Sequence, residues 1–332
     1  MLVRNKKPIA VLISDVHYSL KTFQIADVCF RQAIDKAADL NVPLIDCGDL
    51  VNDKANLRAE YVNTLIKTFN YALEKNVRIY ALIGNHSLIH EKANDHVLHF
   101  LAPYCTVVST PVSVDGFNFI PYQNDSKNFI TAIKKFKKGS IVIGHQGTVG
   151  GFLGDYVKDS SAFNPDQVKD YKVFLGHYHR HYTLGTTVSI GNPYSLTFGE
   201  AEDGPKGFLI LNEDGSFDRV YTNQRKHIKL ERTLETALET IPAFNRNDFL
   251  WLQVTGPASE LAKLNKNTVG NVLGIGANFK LDKLPIEITK LEAPKAQRTD
   301  VQVIDLLIDQ SDESANQKEY MKSYARELLN AS

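Results

Sequence analysis

The chain has 332 residues, 43% of them hydrophobic and 23% charged, the balance of an ordinary globular protein with room for one large domain and a smaller one. Its 38 lysines and arginines equal its 38 aspartates and glutamates, so no overall electrostatic pull toward nucleic acid exists, and local patches or bound cations must supply any such field. Cys29, Cys47 and Cys105 are odd in number and form no C-x-x-C, which fits reduced, buried thiols rather than a disulfide framework. No apolar run is long enough to span a membrane, and the opening MLVRNKKPIAVLIS reads as a strand rather than a secretion signal. A soluble cytoplasmic protein is expected, in the host cytoplasm if the protein is viral.

In chain order, PIAVLIS (8–14) predicts a buried strand, followed by a helix over about 23–40. VPLIDCG (42–48) and VRIYALIG (77–84) predict two more strands, followed by helices over about 56–75 and near 93–101. These runs are almost continuously apolar, as strands covered on both faces should be. CTVVSTPVSVDGFNFIPY changes the pattern, and Asp115-Gly116 marks a hairpin turn within it. SIVIGH (140–145) and YKVFLGH (171–177) are further buried strands, and from 182 to about 222 strands alternate with turns such as EDGS (213–216).

After about residue 226, HIKLER, DFLWLQVTG and LPIEITKLE read as strands, with helices at 233–241 and 257–266, a small α+β unit. From about 293, APKAQRTD reads as a linker, followed by the apolar VQVIDLLI. A last helix near 314–330 places Met321, Tyr324 and Leu328 on one side. The basic clusters KKFKK (134–138) and QRKHIK (224–229) read as solvated faces. Trp251, the only tryptophan, reads as core.

The chemistry is positional. Strand after strand ends in residues that can hold a metal: SDVH gives Asp15 and His17, and DCGDLVND gives Asp49, with Asp46 and Asp53 nearby. GNH gives Asn85 and His86, GHQG gives His145, and GHYHRH gives His177, His179 and His181. Side chains at the carboxyl ends of strands in an α/β sheet converge on one crevice. Each short motif alone is more often a turn than a site; the ordered set is what points to metal-assisted chemistry.

In that order the blocks resemble the signature of the calcineurin-like metallophosphoesterase superfamily, over about residues 8–181. IGNPYSLTFGEAEDGPKGFLIL (190–211) is similar to the stretch after the last histidine motif in SbcD-type DNA repair nucleases of bacteria and their viruses. DFLWLQVTGP (248–257) is similar to the first strand of that family's DNA-capping domain.

The resemblance implies a four-layer αββα sandwich over 1–225, a small α+β capping domain over 226–292, and a linker with a partner-binding helix over 293–332. It also implies two divalent metals about 3.5–4 Å apart, manganese by preference or magnesium, which share a carboxylate and supply a nucleophilic water. By motif, Asp49 is the bridge; Asp15, His17 and His179 complete one site, and Asn85, His145 and His177 the other. His86 is the expected proton donor to the leaving oxygen.

Two departures from the family pattern stand out. Ser87 occupies a position that is commonly acidic there, so it can orient His86 only by hydrogen bonding; Glu91 and Asp95 are the nearby carboxylates, and His90 reads as structural. Asn52 occupies a position that is often histidine. Asn52, Arg180 and His181 are candidates for positioning substrate. The function implied is a DNA nuclease, exo- or endonucleolytic, serving as catalytic subunit of an SbcCD-type repair, recombination or replication complex. Its partners would be DNA, an SbcC-like ABC-type ATPase with a coiled coil, and a second copy of itself. A phosphatase or small-molecule phosphodiesterase of the same fold is the alternative, opposed by the extra domain after 226. A non-enzymatic scaffold is opposed by the complete set of seven ligands.

Overall fold

The computed structural model describes residues 6–54, 56–90, 95–151, 161–222, 224–239, 248–274, 278–285, 300–309, 311 and 314–330. Its elements run β1 (Pro8–Ile13), α1 (Phe23–Leu40), β2 (Leu44–Asp46), α2 (Ala59–Glu74), β3 (Ile79–Leu82), β4 (Thr106–Val108), β5 (Val112–Val114), β6 (Phe117–Ile120), α3 (Ser126–Ile133), β7 (Ile141–His145) and β8 (Lys172–Gly176). They continue with β9 (Tyr182–Leu184), β10 (Thr187–Ser189), β11 (Gly207–Asn212), β12 (Phe217–Tyr221), β13 (His227–Thr233), β14 (Phe249–Gly256), α4 (Ala258–Leu261), α5 (Lys266–Val272), β15 (Phe279–Pro285), α6 (Asp300–Asp309) and α7 (Ala315–Asn330). Among the described residues, no helix is long and apolar enough to cross a membrane.

Two six-stranded sheets have the orders β12-β11-β1-β2-β3-β4 and β5-β6-β7-β8-β10-β9. In the first, β1, β2, β3 and β4 are parallel, with Ile13 opposite Asp46 and Asp46 opposite Ala81. In the second, β6, β7 and β8 are parallel, with His145 opposite Gly176. Leu12, Ile45 and Leu82 of the first sheet share a buried core with Phe119, Ile143 and Phe174 of the second. Each such side chain contributes about 1.5–3 kcal/mol by leaving water. The outer face of the first sheet packs on α1 and α2 through Phe30, Ile34, Leu65 and Phe69. The outer face of the second packs on α3 through Phe129, Ile130 and Ile133. The layers are therefore α, β, β, α, the sandwich expected.

Asp115 and Gly116 both have positive φ, 51° and 85°, and turn β5 back into β6 as a primed hairpin turn. The third sheet, β13-β14-β15, lies within residues 226–292. The chain forms two compact units, Met1–Val254 with Asn265–Asp282, and Thr255–Leu264 with Lys283–Ser332. In the second unit α6 packs on α7, joined by Arg326–Asp305 at 2.6 Å and Lys322–Asp309 at 2.5 Å.

Several local expectations differ from the fold. Near 93–101 the described helix is a single 3₁₀ stretch, Val97–Leu101, preceded by an extended His96 that bridges to Leu88, while residues 93 and 94 lie outside the described residues. Residues 234–239 form turns instead of a helix. There the Thr236 hydroxyl and N–H both donate to the Thr233 carbonyl, the local competition that threonines offer to helix. The helix expected at 257–266 is two: Asn265 accepts from Asn267 and Thr268 and starts α5 afresh. The strand expected at LPIEITKLE is described only to Pro285, as the end of β15. The rest of that segment and the linker APKAQRTD up to residue 299 lie outside the described residues.

Candidate metal centre

After β1 and β2 the two chains run on side by side. Asp15 N–H donates to the Gly48 carbonyl, and His17 N–H to that of Asp49, both at 3.0 Å. Asp15, His17 and Asp49 hold positive φ of 53°, 51° and 55°, so each side chain leaves its strand end in a direction that regular extended backbone does not offer. The Asp15 carboxylate crosses to the other sheet. It accepts the His177 N–H at 3.0 and 3.1 Å and the Ser14 hydroxyl at 2.6 Å. One buried aspartate thereby stitches the ends of both parallel sets together.

Two clusters result, in each of which the donor atoms lie within 4.8 Å of one another: Asp15, His17 and His179, and Asp49, His145 and His177. In the first, His17 Nε2 faces His179 Nε2 at 3.1 Å. In the second, His145 Nε2 lies 3.2 Å from Asp49 Oδ2 and 3.1 Å from Asn85 Oδ1, and His177 Nδ1 lies 2.9 Å from the same Asn85 oxygen. His145 Nδ1 faces the Cys47 carbonyl at 2.8 Å, an acceptor that leaves Nε2 turned toward the cluster.

The electrostatics fit a cation. Burial pushes His17 down to about 4 against the pull of the Asp49 charge, which acts on it more strongly than that of Asp15. Burial pushes Asp49 up, but the His145 charge and hydrogen bond, with His17 and His86 beside it, bring it well below the usual carboxylate range. Burial lowers His145, yet Asp49 and Asp15 outweigh it and raise the ring to about 9. The charges of Asp49 and Asp15 both act on His17 and on His145, so the carboxylates draw positive charge to rings of both clusters.

His86 projects beside the first cluster. Its ring meets His17 edge-on, centroids 4.9 Å apart, and its N–H donates to Asp49 Oδ1 at 2.9 Å. Its Nδ1 lies 3.0 Å from the Asn52 carbonyl. Ser87 therefore does not orient the ring: its hydroxyl is buried and without a partner among the described residues. Asn52 does so through its main chain, while its amide reaches Asp53 at 3.4 Å. Asp95 pairs with His99 at 3.5 Å, His90 is exposed, and Glu91 lies outside the described residues. His181 packs edge-on against Phe217, in neither cluster. Arg180 is half-buried, and its carbonyl accepts from Ser189.

The residue that sequence reasoning left without a role is Glu200, whose Oε1 lies 2.9 Å from His179 Nδ1. Burial pushes its carboxyl up, but His179, Lys206 and Asn192 bring it down to about 2. The FGE motif that contains it was legible; its partner 21 residues back was not.

The two clusters have the donor chemistry to hold divalent cations. No family model matches the chain. Over 166 residues the chain is 26% identical to Exonuclease subunit 1 of Enterobacteria phage T4, covering 47% of this chain and 47% of that protein. Part of the chain thus resembles a phage exonuclease subunit. It spans about half the length of that curated relative.

Among solved structures, it is similar to an archaeal phosphodiesterase (16% identity, 64% of this chain and 98% of that one, TM-score 0.35). It is also similar to a dimetal phosphatase from Danio rerio (11%, 66% and 100%, TM-score 0.37). A third is the nuclease MPE of Pseudomonas putida (13%, 64% and 87%, TM-score 0.29).

Proposed function

We propose that this chain is a metal-dependent phosphodiesterase that cuts DNA, the catalytic subunit of an SbcCD-type complex. The observation that carries the reading is the pair of donor clusters, Asp15, His17 and His179 and Asp49, His145 and His177, with His86 donating its N–H to Asp49. The partial likeness to a phage exonuclease subunit supports nucleic acid as the substrate. Asp15, His17 and His179 would hold one divalent cation, and Asp49, Asn85, His145 and His177 the other. Manganese or magnesium suits this oxygen and imidazole set. When bound, such ions supply Lewis acidity toward the phosphodiester and a nucleophilic water at neutral pH.

The chain's own residues do the rest. Asp49 aligns the two clusters and, through the His86 N–H, fixes the His86 main chain. With Nδ1 directed at the Asn52 carbonyl, His86 keeps Nε2 for exchanging a proton with a departing sugar oxygen. The SbcC-like ATPase and a second copy of the chain belong to the same reading. Tyr320, Met321 and Tyr324 lie exposed on α7, in keeping with a helix that docks on a partner.

The test is a nuclease assay on linear duplex and single-stranded DNA with manganese or magnesium, with and without a candidate ATPase. Cleavage that is lost on chelation and in Asp49→Ala supports the proposal. Rapid hydrolysis of p-nitrophenyl phosphate with intact DNA would assign a phosphatase instead.

A further inference from the structure

We propose that Glu200 is the positioning residue of the first metal cluster, held in place by Lys206 and Asn192; this rests on the two-cation reading above. Glu200 ends a 3₁₀ turn, Phe198–Glu200, and is 8% exposed. Its Oε1 meets His179 Nδ1 at 2.9 Å. Its Oε2 receives Asn192 Nδ2 at 2.9 Å, the Leu196 N–H at 3.2 Å and Lys206 Nζ at 2.9 Å. Lys206 also donates to the His179 carbonyl at 3.0 Å and pairs with Asp203 at 2.8 Å. All of these groups except His179 belong to the connection between β10 and β11, whose polar atoms converge on one carboxylate.

The consequence is a fixed tautomer. Paired with Lys206, the Glu200 carboxylate accepts from His179 Nδ1, so in the neutral ring the Nε2 lone pair faces His17 Nε2 and Asp15. No other described group does this for the first cluster: the other ring nitrogen of His17 has no partner among the described residues. The second cluster has its own support, the Cys47 carbonyl at His145 Nδ1. Glu200 therefore serves one cluster and not the other, and its removal should separate them.

The experiment is a calorimetric titration of the full, chelator-stripped chain with Mn²⁺, for wild type, Glu200→Ala, Glu200→Gln and Lys206→Met. The expected result is two sites in wild type, with one weakened about 10- to 100-fold in Glu200→Ala and the other unchanged. Glu200→Gln, which keeps a carbonyl acceptor, should recover part of that loss, and Lys206→Met should fall between it and wild type. A Glu200→Ala protein with both wild-type affinities, or with both sites weakened equally, overturns the proposal. A metal-free readout tests it separately. Proton–nitrogen correlation spectra at pH 8 should show His179 protonated at Nδ1 in wild type and in Glu200→Gln, and shifted toward the Nε2-protonated form in Glu200→Ala. An Nε2-protonated His179 in wild type would refute the assignment even if Mn²⁺ bound. A wild type that shows the Nδ1 form but takes up no Mn²⁺ defeats only the two-cation reading.

Discussion

Four of the converging side chains stand on main chain with positive φ: Asp15, His17, Asp49 and, at 105°, His177. Such conformations cost about 1–3 kcal/mol each and persist only where surrounding contacts enforce them. Here the contacts are the Asp15 and Asp49 carboxylates, which accept N–H groups from His177 and His86. The space for them is made by glycine. A Cβ on Gly84 would lie 2.1 Å from Asp49 Oδ1 and 2.5 Å from the Asp49 nitrogen, and Gly84 has ordinary φ. Gly84→Ala should therefore displace Asp49 and abolish high-affinity Mn²⁺ binding. Gly116→Ala, with positive φ but nothing within 4 Å of its Cβ, should cost about 1 kcal/mol of stability and leave binding intact. Chemical denaturation with metal titration checks both. His86→Ala should keep both metal affinities while lowering turnover about 100- to 10,000-fold. Full turnover in that variant would remove His86 from the chemistry.

At the scale of elements, the joint between β13 and the Phe198–Glu200 turn carries a pH dependence. His227 shares a 2.9 Å hydrogen bond with Ser195 Oγ and sits between Phe198 and Phe249. Burial, with Arg225 beside it, holds the ring down to about 4. The unfolded chain, near 6.5, binds that proton more readily, so His227 supports the fold fully above about 6.5 and loses this contribution as pH falls to about 4. His227→Phe should flatten the decline in melting temperature between pH 7 and pH 4.5 in chelator; an unchanged decline would contradict the assignment.

What the sequence disclosed at this scale follows from periodicity. Strands buried on both faces advertise themselves as apolar runs, and the residues that end them are the donors now found together. Supports supplied by main-chain carbonyls, such as those of Cys47 and Asn52, leave no side-chain signature. Glu200 and His179 stand in different connections, β10 to β11 and β8 to β9, a relation no local pattern encodes. Over the described residues 234–239, Thr233 and Thr236 bond locally against the helical pattern.

For the whole molecule, 38 positive and 38 negative side chains leave no net charge, so attraction for a phosphodiester would come from bound cations or local patches. The same ions should hold the two sheets together, because each donor cluster draws on both: Asp15 and His17 meet His179, and Asp49 meets His145 and His177. At a hundredfold excess over its dissociation constant, one site adds about 2.7 kcal/mol to the folded state. Mn²⁺ should thus raise the melting temperature reversibly, with chelator restoring the lower value. Asp49→Ala should respond far less, and a wild-type midpoint indifferent to Mn²⁺ and Mg²⁺ would contradict this coupling. The most direct measurement is anomalous diffraction from crystals soaked in Mn²⁺. Two peaks are expected, one among Asp15, His17 and His179 and one among Asp49, Asn85, His145 and His177, with Asp49 within reach of both. A single peak, peaks outside these side chains, or none at saturating Mn²⁺ would contradict the account.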